Sequence, residues 1–231
     1  MREKTVYLRI GTILAVLFAA LLLILSGCES AGAGGSDDGS DSNLGGTDGS
    51  ESSGEALVLP EGVITDWTLG TPVDVEVILY DSSAHPVWGY GPVTVEGGYF
   101  PGMTIDPPPG EALLSWSEFQ VAFEYELLEL PVNITDTSVS FQSFSFLDVP
   151  SSATAVIVRG TDDGTVVVSW IYATGSTSIT ITNFNTGNYL ATVDLKLAVG
   201  WNRAVFHSNE SEGTVTLKTE TEPVGTGWIL K

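Results

Sequence analysis

Cysteine is nearly missing from this 231-residue chain, which has one, Cys28. No internal disulfide can form, so the folded body must be held by its apolar core. Basic residues are also scarce: eight Lys and Arg face 29 Asp and Glu, for a formal charge of −21. So acidic a surface repels phosphate backbones and anionic headgroups, which argues against nucleic acid as a partner and against a second, electrostatic hold on a membrane. Only two histidines, His85 and His207, are available as neutral-pH bases. The sequence has no Gly-x-Ser-x-Gly elbow, no His-Glu-x-x-His and no phosphate-cradling Gly-Lys-Ser or Gly-Lys-Thr loop. His85 lies in Ala84-His85-Pro86, a turn, and His207 is followed by Ser208, whereas the members of a triad meet through the fold rather than as sequence neighbours. Carboxylate pairs arise by chance among 29 acids, and a glycosidase needs two held roughly 5 to 10 Å apart across a cleft. No catalytic residue, metal ligand or cofactor is assigned, and a hydrolase or its accessory is the least favoured class.

The amino-terminal segment is the most specific feature present. Arg2, Lys4 and Arg9 precede an apolar run from Ile10 to Leu25, and Leu25-Ser26-Gly27-Cys28 closes it. Residues 1–28 resemble a bacterial lipoprotein signal peptide with its lipobox. The resemblance implies that Cys28 carries diacylglycerol, that residues 1–27 are cleaved, and that the new amino terminus is acylated. It places the protein in the cell envelope, facing the periplasm or the exterior and held to the membrane by lipid alone. The competing reading is a spanning helix, which needs roughly 17 to 25 apolar residues. The run falls slightly short of that, and the single cysteine sits where small residues end it. Two or three acyl chains make a durable anchor where one is marginal.

From Cys28 to Glu55 the chain is largely Gly, Ser and Asp. Such a segment buries too little apolar surface to offset the entropy of ordering, and flexible-coil scaling gives it a reach of roughly 30 Å. Asp37, Asp38, Asp41, Asn43 and Asp48 lie in this tether, but their spacing does not form an EF-hand loop.

Beyond Glu55, short alternating runs are separated by Gly, Pro, Asn and Asp, the pattern of an antiparallel all-β body. Val73, Val75, Val77 and Leu79 alternate with Asp74 and Glu76; Phe119, Val121, Phe123, Tyr125 and Leu127 are set against Glu118, Gln120, Glu124 and Glu126 and read as another strand. Further strands are expected over 155–159, 165–172, 178–184, 190–197, 203–207 and 213–219. The reading is a β-sandwich, Ig-like or transthyretin-like, built as a first region over 56–130 and a second over 131–231, forming either one enlarged sandwich or two small ones. Residues 62–105, with Val73 to Tyr80, Pro92 to Val95, the Gly97-Gly98 turn and Tyr99-Phe100, resemble the transthyretin-like, carboxypeptidase-regulatory-like domains. Residues 189–202, where Val193 to Leu197 lead into Gly200-Trp201-Asn202, look like the closing hairpin of uncharacterised bacterial lipoproteins.

Aromatic residues are the remaining lead to a binding site. Trp88-Gly89-Tyr90-Gly91-Pro92 is punctuated by Gly and Pro, and with Tyr99 it offers rings that would stack on sugars at a loop edge. Trp and Tyr are equally at home in a strand core, and Trp170 within Val166–Ile171 reads as core. The expectation is a non-enzymatic interaction or structural domain whose partner is an envelope protein or polysaccharide, with a carbohydrate-binding module as the alternative. Cys28→Ser is expected to abolish incorporation of a fatty-acid label and to leave the precursor uncleaved, as read by intact-protein mass spectrometry; a labelled, processed variant would refute the lipobox.

Overall fold

The computed structural model describes residues 55–70, 72–124, 132–152, 154–185 and 189–231. Cys28, the signal segment and the tether lie outside them, as do Tyr125 and Leu127. The first strands are β1 (Leu57–Leu59), β2 (Gly62–Thr65), β3 (Val73–Tyr80), β4 (Pro86–Val95), β5 (Tyr99–Phe100) and β6 (Met103–Ile105). A single 3-10 turn, Gly110–Ala112, and helix α1 (Trp116–Glu124) follow. Then come β7 (Asn133–Ile134), β8 (Phe141–Phe144), β9 (Phe146–Asp148), β10 (Val156–Gly160) and β11 (Val166–Ala173). The last are β12 (Thr177–Asn185), β13 (Leu190–Leu197), β14 (Gly200–Asn209), β15 (Thr214–Thr219) and β16 (Gly227–Leu230). The body is all-β, with mostly antiparallel pairing.

Fourteen strands form two runs that share one hairpin. The first run is β4-β3-β9-β10-β16-β2-β5, and the second is β8-β11-β14-β15-β13-β12-β7. Strands β10 and β11 pair only at the closed end of their hairpin, Arg159 with Val168 and Gly160 with Val167. Beyond it they part, and the β8–β9 segment enters between them, β8 pairing with β11 and β9 with β10. Gly160 is required at this junction, because a Cβ there would lie 2.2 Å from the Val166 carbonyl oxygen. Strand β2 lies parallel to the carboxy-terminal β16, and β3 meets β9 at Glu76 and Asp148. The described residues of 56–130 and of 131–231 therefore share a sheet and a core.

Alternation explains how the faces are sorted. Val75, Val77 and Leu79 of β3 point inward with Leu147, Ile157, Trp228 and Leu230 to meet Val168 and Trp170 of β11. Rings cross this core in series. Phe100 lies edge-on to Trp228 at 4.9 Å, Trp228 stacks on Trp170 at 6.2 Å, and Trp170 stacks on Phe144 at 5.0 Å. Phe144 then meets Trp201 at 5.4 Å, and Trp201 meets Tyr172 at 5.4 Å. The other face of β11 supplies Ile171 and Ala173 to a second core with Ile179, Ile181, Val193, Leu195 and Leu197. Residues Val167 to Ala173 are consequently all buried, as in a strand covered on both faces.

Two expectations are corrected. The alternating run from Phe119 is the helix α1 as far as Glu124, not a strand. Ser115-Trp116-Ser117-Glu118 forms a capping box: the Ser115 amide donates to Glu118 Oε2 at 2.8 Å, and the Glu118 amide donates to Ser115 Oγ at 3.4 Å. Trp116 and Phe119, three apart, then meet Phe141 at 5.9 and 4.9 Å. The expected hairpin of Val193–Leu197 with Gly200–Asn202 does not form either. Strand β15 lies between β13 and β14, parallel to the first and antiparallel to the second. Asn202 secures the crossover, its Oδ1 accepting from the Ala198 amide and its Nδ2 donating to the Ala198 and Gly200 carbonyls, each at 2.9 Å.

Trp228→Ala is expected to cost about 3 to 5 kcal/mol in chemical denaturation, as for other buried large aromatics. Gly160→Ala should destabilise although it adds only a methyl group, while Trp88→Ala, at an exposed site, should stay within about 1 kcal/mol of wild type.

Candidate functional site

The three aromatics singled out from sequence are not brought together. Trp88 on β4 is 41% exposed, and Tyr99 on β5 is 43% exposed. Tyr99 stands across from Val63, itself 72% exposed, and its hydroxyl is hydrogen-bonded to Glu61, which raises the phenol pKa. Glu96, just past the end of β4, bridges to Tyr99, so Tyr99 meets this strand eight residues along from Trp88, at most roughly 25 Å of extended chain away. Tyr90, two residues along β4 on the same face, is more deeply buried than Trp88. It packs against the first core, its hydroxyl is buried with no hydrogen-bond partner, and burial, then Asp106 and Tyr172, push its pKa up to about 12. Trp201 is likewise engaged, donating from Nε1 to the Asp106 carbonyl at 3.3 Å.

An open groove of about 570 Å³ runs between the β1–β6 ribbon and β4, lined by Val58, Glu61, Gly91, Val93, Met103 and Thr104 among others. Among the described residues β4 pairs only with β3, but Pro86 and Pro92 interrupt its amide row, a device that discourages strand addition.

The second run of strands carries a different surface. Register takes one face across the sheet: Arg159 pairs with Val168, Val168 with Val205, Val205 with Lys218, and Lys218 with Asp194. Arg203, His207 and Lys196 are two residues from members of this row and share the face. Four of the five Lys and Arg within residues 55–231 thus stand on one side of one sheet.

Carboxylates from the segment after β15 organise these cations. Glu222 Oε1 accepts from Arg159 Nε at 2.7 Å and lies 2.6 Å from Arg159 Nη2, and it also accepts from the Thr226 hydroxyl. The Arg159 guanidinium lies 5.1 Å from the centre of the Trp228 ring, joining the network to the aromatic series. Arg203 Nε is 3.8 Å from Glu222 Oε2 and makes no hydrogen bond. Glu220 is shared by His207 and by Lys218, whose ammonium is 2.7 Å away. Burial alone would raise both carboxyl pKa values. Lys218 and His207 outweigh it at Glu220, and Arg159, Thr226 and Arg203 outweigh it at Glu222, so both lie below the ordinary carboxylate range. His85, by contrast, is an exposed turn residue, its Nδ1 3.5 Å from Asp81.

Among the described residues no group of three or more His, Cys, Asp or Glu side chains is placed to hold a metal ion. Comparison of the chain with family models, with curated proteins and with solved structures finds no match. The charged face was absent from the sequence reading because its members come from β10, β13, β14 and β15. The available signal was parity: Asp194 and Lys196, and Arg203 and His207, are spaced by even numbers within single strands.

Glu222→Gln should cost about 1.5 to 3 kcal/mol by leaving Arg159 half-paired. Because the folded-state pKa values of Glu220 and Glu222 are lowered, their stabilisation is fully present above the unfolded carboxylate range and is lost as pH falls through the folded values. Thermal melts of the wild type should therefore weaken on acidification below about pH 4, and Glu222→Gln should flatten that limb; an unchanged slope would show that the pair is not linked to folding.

Proposed function

We propose that the protein is a lipid-anchored component of a bacterial cell envelope, whose β-sandwich is presented on a tether as a non-enzymatic interaction or structural module. The observation that supports this most is that the polar groups best suited to chemistry are engaged with one another. Glu222 is held by Arg159, and Glu220 by His207 and Lys218. An ionic network of this kind rigidifies a surface and keeps His207, Glu220 and Glu222 from standing as free bases. The anchor comes from the lipobox at Cys28, and the tether holds the body away from the bilayer. A second reading, a carbohydrate-binding module, draws on the exposure of Trp88 and Tyr99. Their separation assigns them to two contact points rather than one stacking platform.

Proximity labelling in intact cells, with the labelling group fused after Lys231, tests the main reading. The anchored chain is expected to mark a reproducible set of envelope proteins or wall polysaccharide, and Cys28→Ser to lose that set. The same neighbours for both forms would remove the lipid anchor from the account.

A further inference from the structure

The chain is strongly acidic as a whole, but its charges are unevenly distributed. Residues 55–231 contain 22 Asp and Glu and five Lys and Arg. On the face of the second run of strands that also carries Val168 and Trp170, beyond the part covered by the first core, Arg159, Lys196, Arg203 and Lys218 meet Asp194, Glu220 and Glu222, a local excess of one positive charge. Charge also varies along this face. The acidic turns, with Asp162 and Asp163 after β10 and Glu210 and Glu212 after β14, lie at the His207 end. Arg203, Lys218 and Lys196 lie towards the other. Lys196 is 77% exposed with its ammonium 3.8 Å from Asp194, which engages at most part of its three donors. The Arg203 side chain is 39% exposed, although its Nε is buried.

Strand β12 extends the same face with hydroxyls, since Ser178 pairs with Lys196 and Thr180 with Asp194. From β14 to β12 the face crosses three strand spacings, roughly 14 Å. It offers cations and hydroxyls side by side, with neither the apolar centre of a protein interface nor the enclosure that would offset desolvation of one small anion. We propose that Lys196, Lys218 and Arg203, with Ser178 and Thr180, form a docking face for an acidic polysaccharide. The cations take its carboxylates, the hydroxyls meet its sugar hydroxyls, and repeated weak contacts along one chain supply the affinity. Elsewhere on the body carboxylates predominate, so a polyanion is directed to this face and repelled from the rest. The site is independent of the lipid anchor and of the exposed rings of Trp88 and Tyr99.

Calorimetric titration of the full chain in neutral detergent with polygalacturonate, and with dextran of matched length, tests this. Binding is expected for polygalacturonate and not for dextran, weakening at least about tenfold between low salt and 0.2 M. Lys196→Glu, at a mostly exposed position, should reduce affinity at least about tenfold with an unchanged melting temperature, and Lys218→Glu should do the same with some loss of stability. Trp88→Ala and Tyr99→Ala should bind like wild type. Absence of polygalacturonate binding, equal binding of dextran, or undiminished binding by Lys196→Glu would overturn the proposal. Loss of binding in Trp88→Ala would move the glycan site to the aromatic positions instead.

Discussion

The contact between Trp170 and Trp228 is the constraint on which the rest of the body depends. One ring belongs to β11 of the second run of strands and the other to the carboxy-terminal strand of the first, so their stacking fixes how the runs face each other. Phe144 and Phe100 extend the series on either side. Each such ring removes roughly 150 to 250 Å² from water, and in a chain without disulfides this burial is the main available source of cohesion. Trp228 also carries the Arg159 guanidinium against its ring, and Arg159 holds Glu222. The apolar core and the ionic face therefore share one residue.

Strand β11 performs the complementary task. Buried on both sides, it separates the first core from the second core that α1 helps to close. Its hairpin with β10 is zipped for only two residue pairs before the arms part, and this lets one chain segment serve both runs. The close approach at Gly160 is a consequence of that geometry. So is the pairing of the N-terminal β2 with the C-terminal β16, which merges the two sequence regions into one shared core.

Charge is sorted by the same pairing. An average of −21 over the chain suggests uniform repulsion of anions, yet strand register gathers four of five body cations on one face and brings Glu220 and Glu222 among them. The acidic turns fall at one end of that face because hairpin loops favour Asp and Gly. A global composition does not describe what a particular partner meets.

The sequence by itself determined the strand-rich body, most strand positions, the tight turn at Gly97-Gly98 and the core role of Trp170. These are local properties, set by two-residue alternation and by residues that tolerate left-handed backbone. The helix α1 was also locally encoded in its Ser115–Glu118 capping box, but the alternation of apolar residues after Phe119 masked it. Tertiary structure decided the rest. Nothing local states that β15 inserts between β13 and β14, that Tyr90 packs against the core while Trp88 stays exposed, or that Lys196, Arg203 and Lys218 share a face. Which strand lies beside which is settled by long-range burial around Trp170 and Trp228, and that choice, invisible in any short window, places every side chain of the candidate surface.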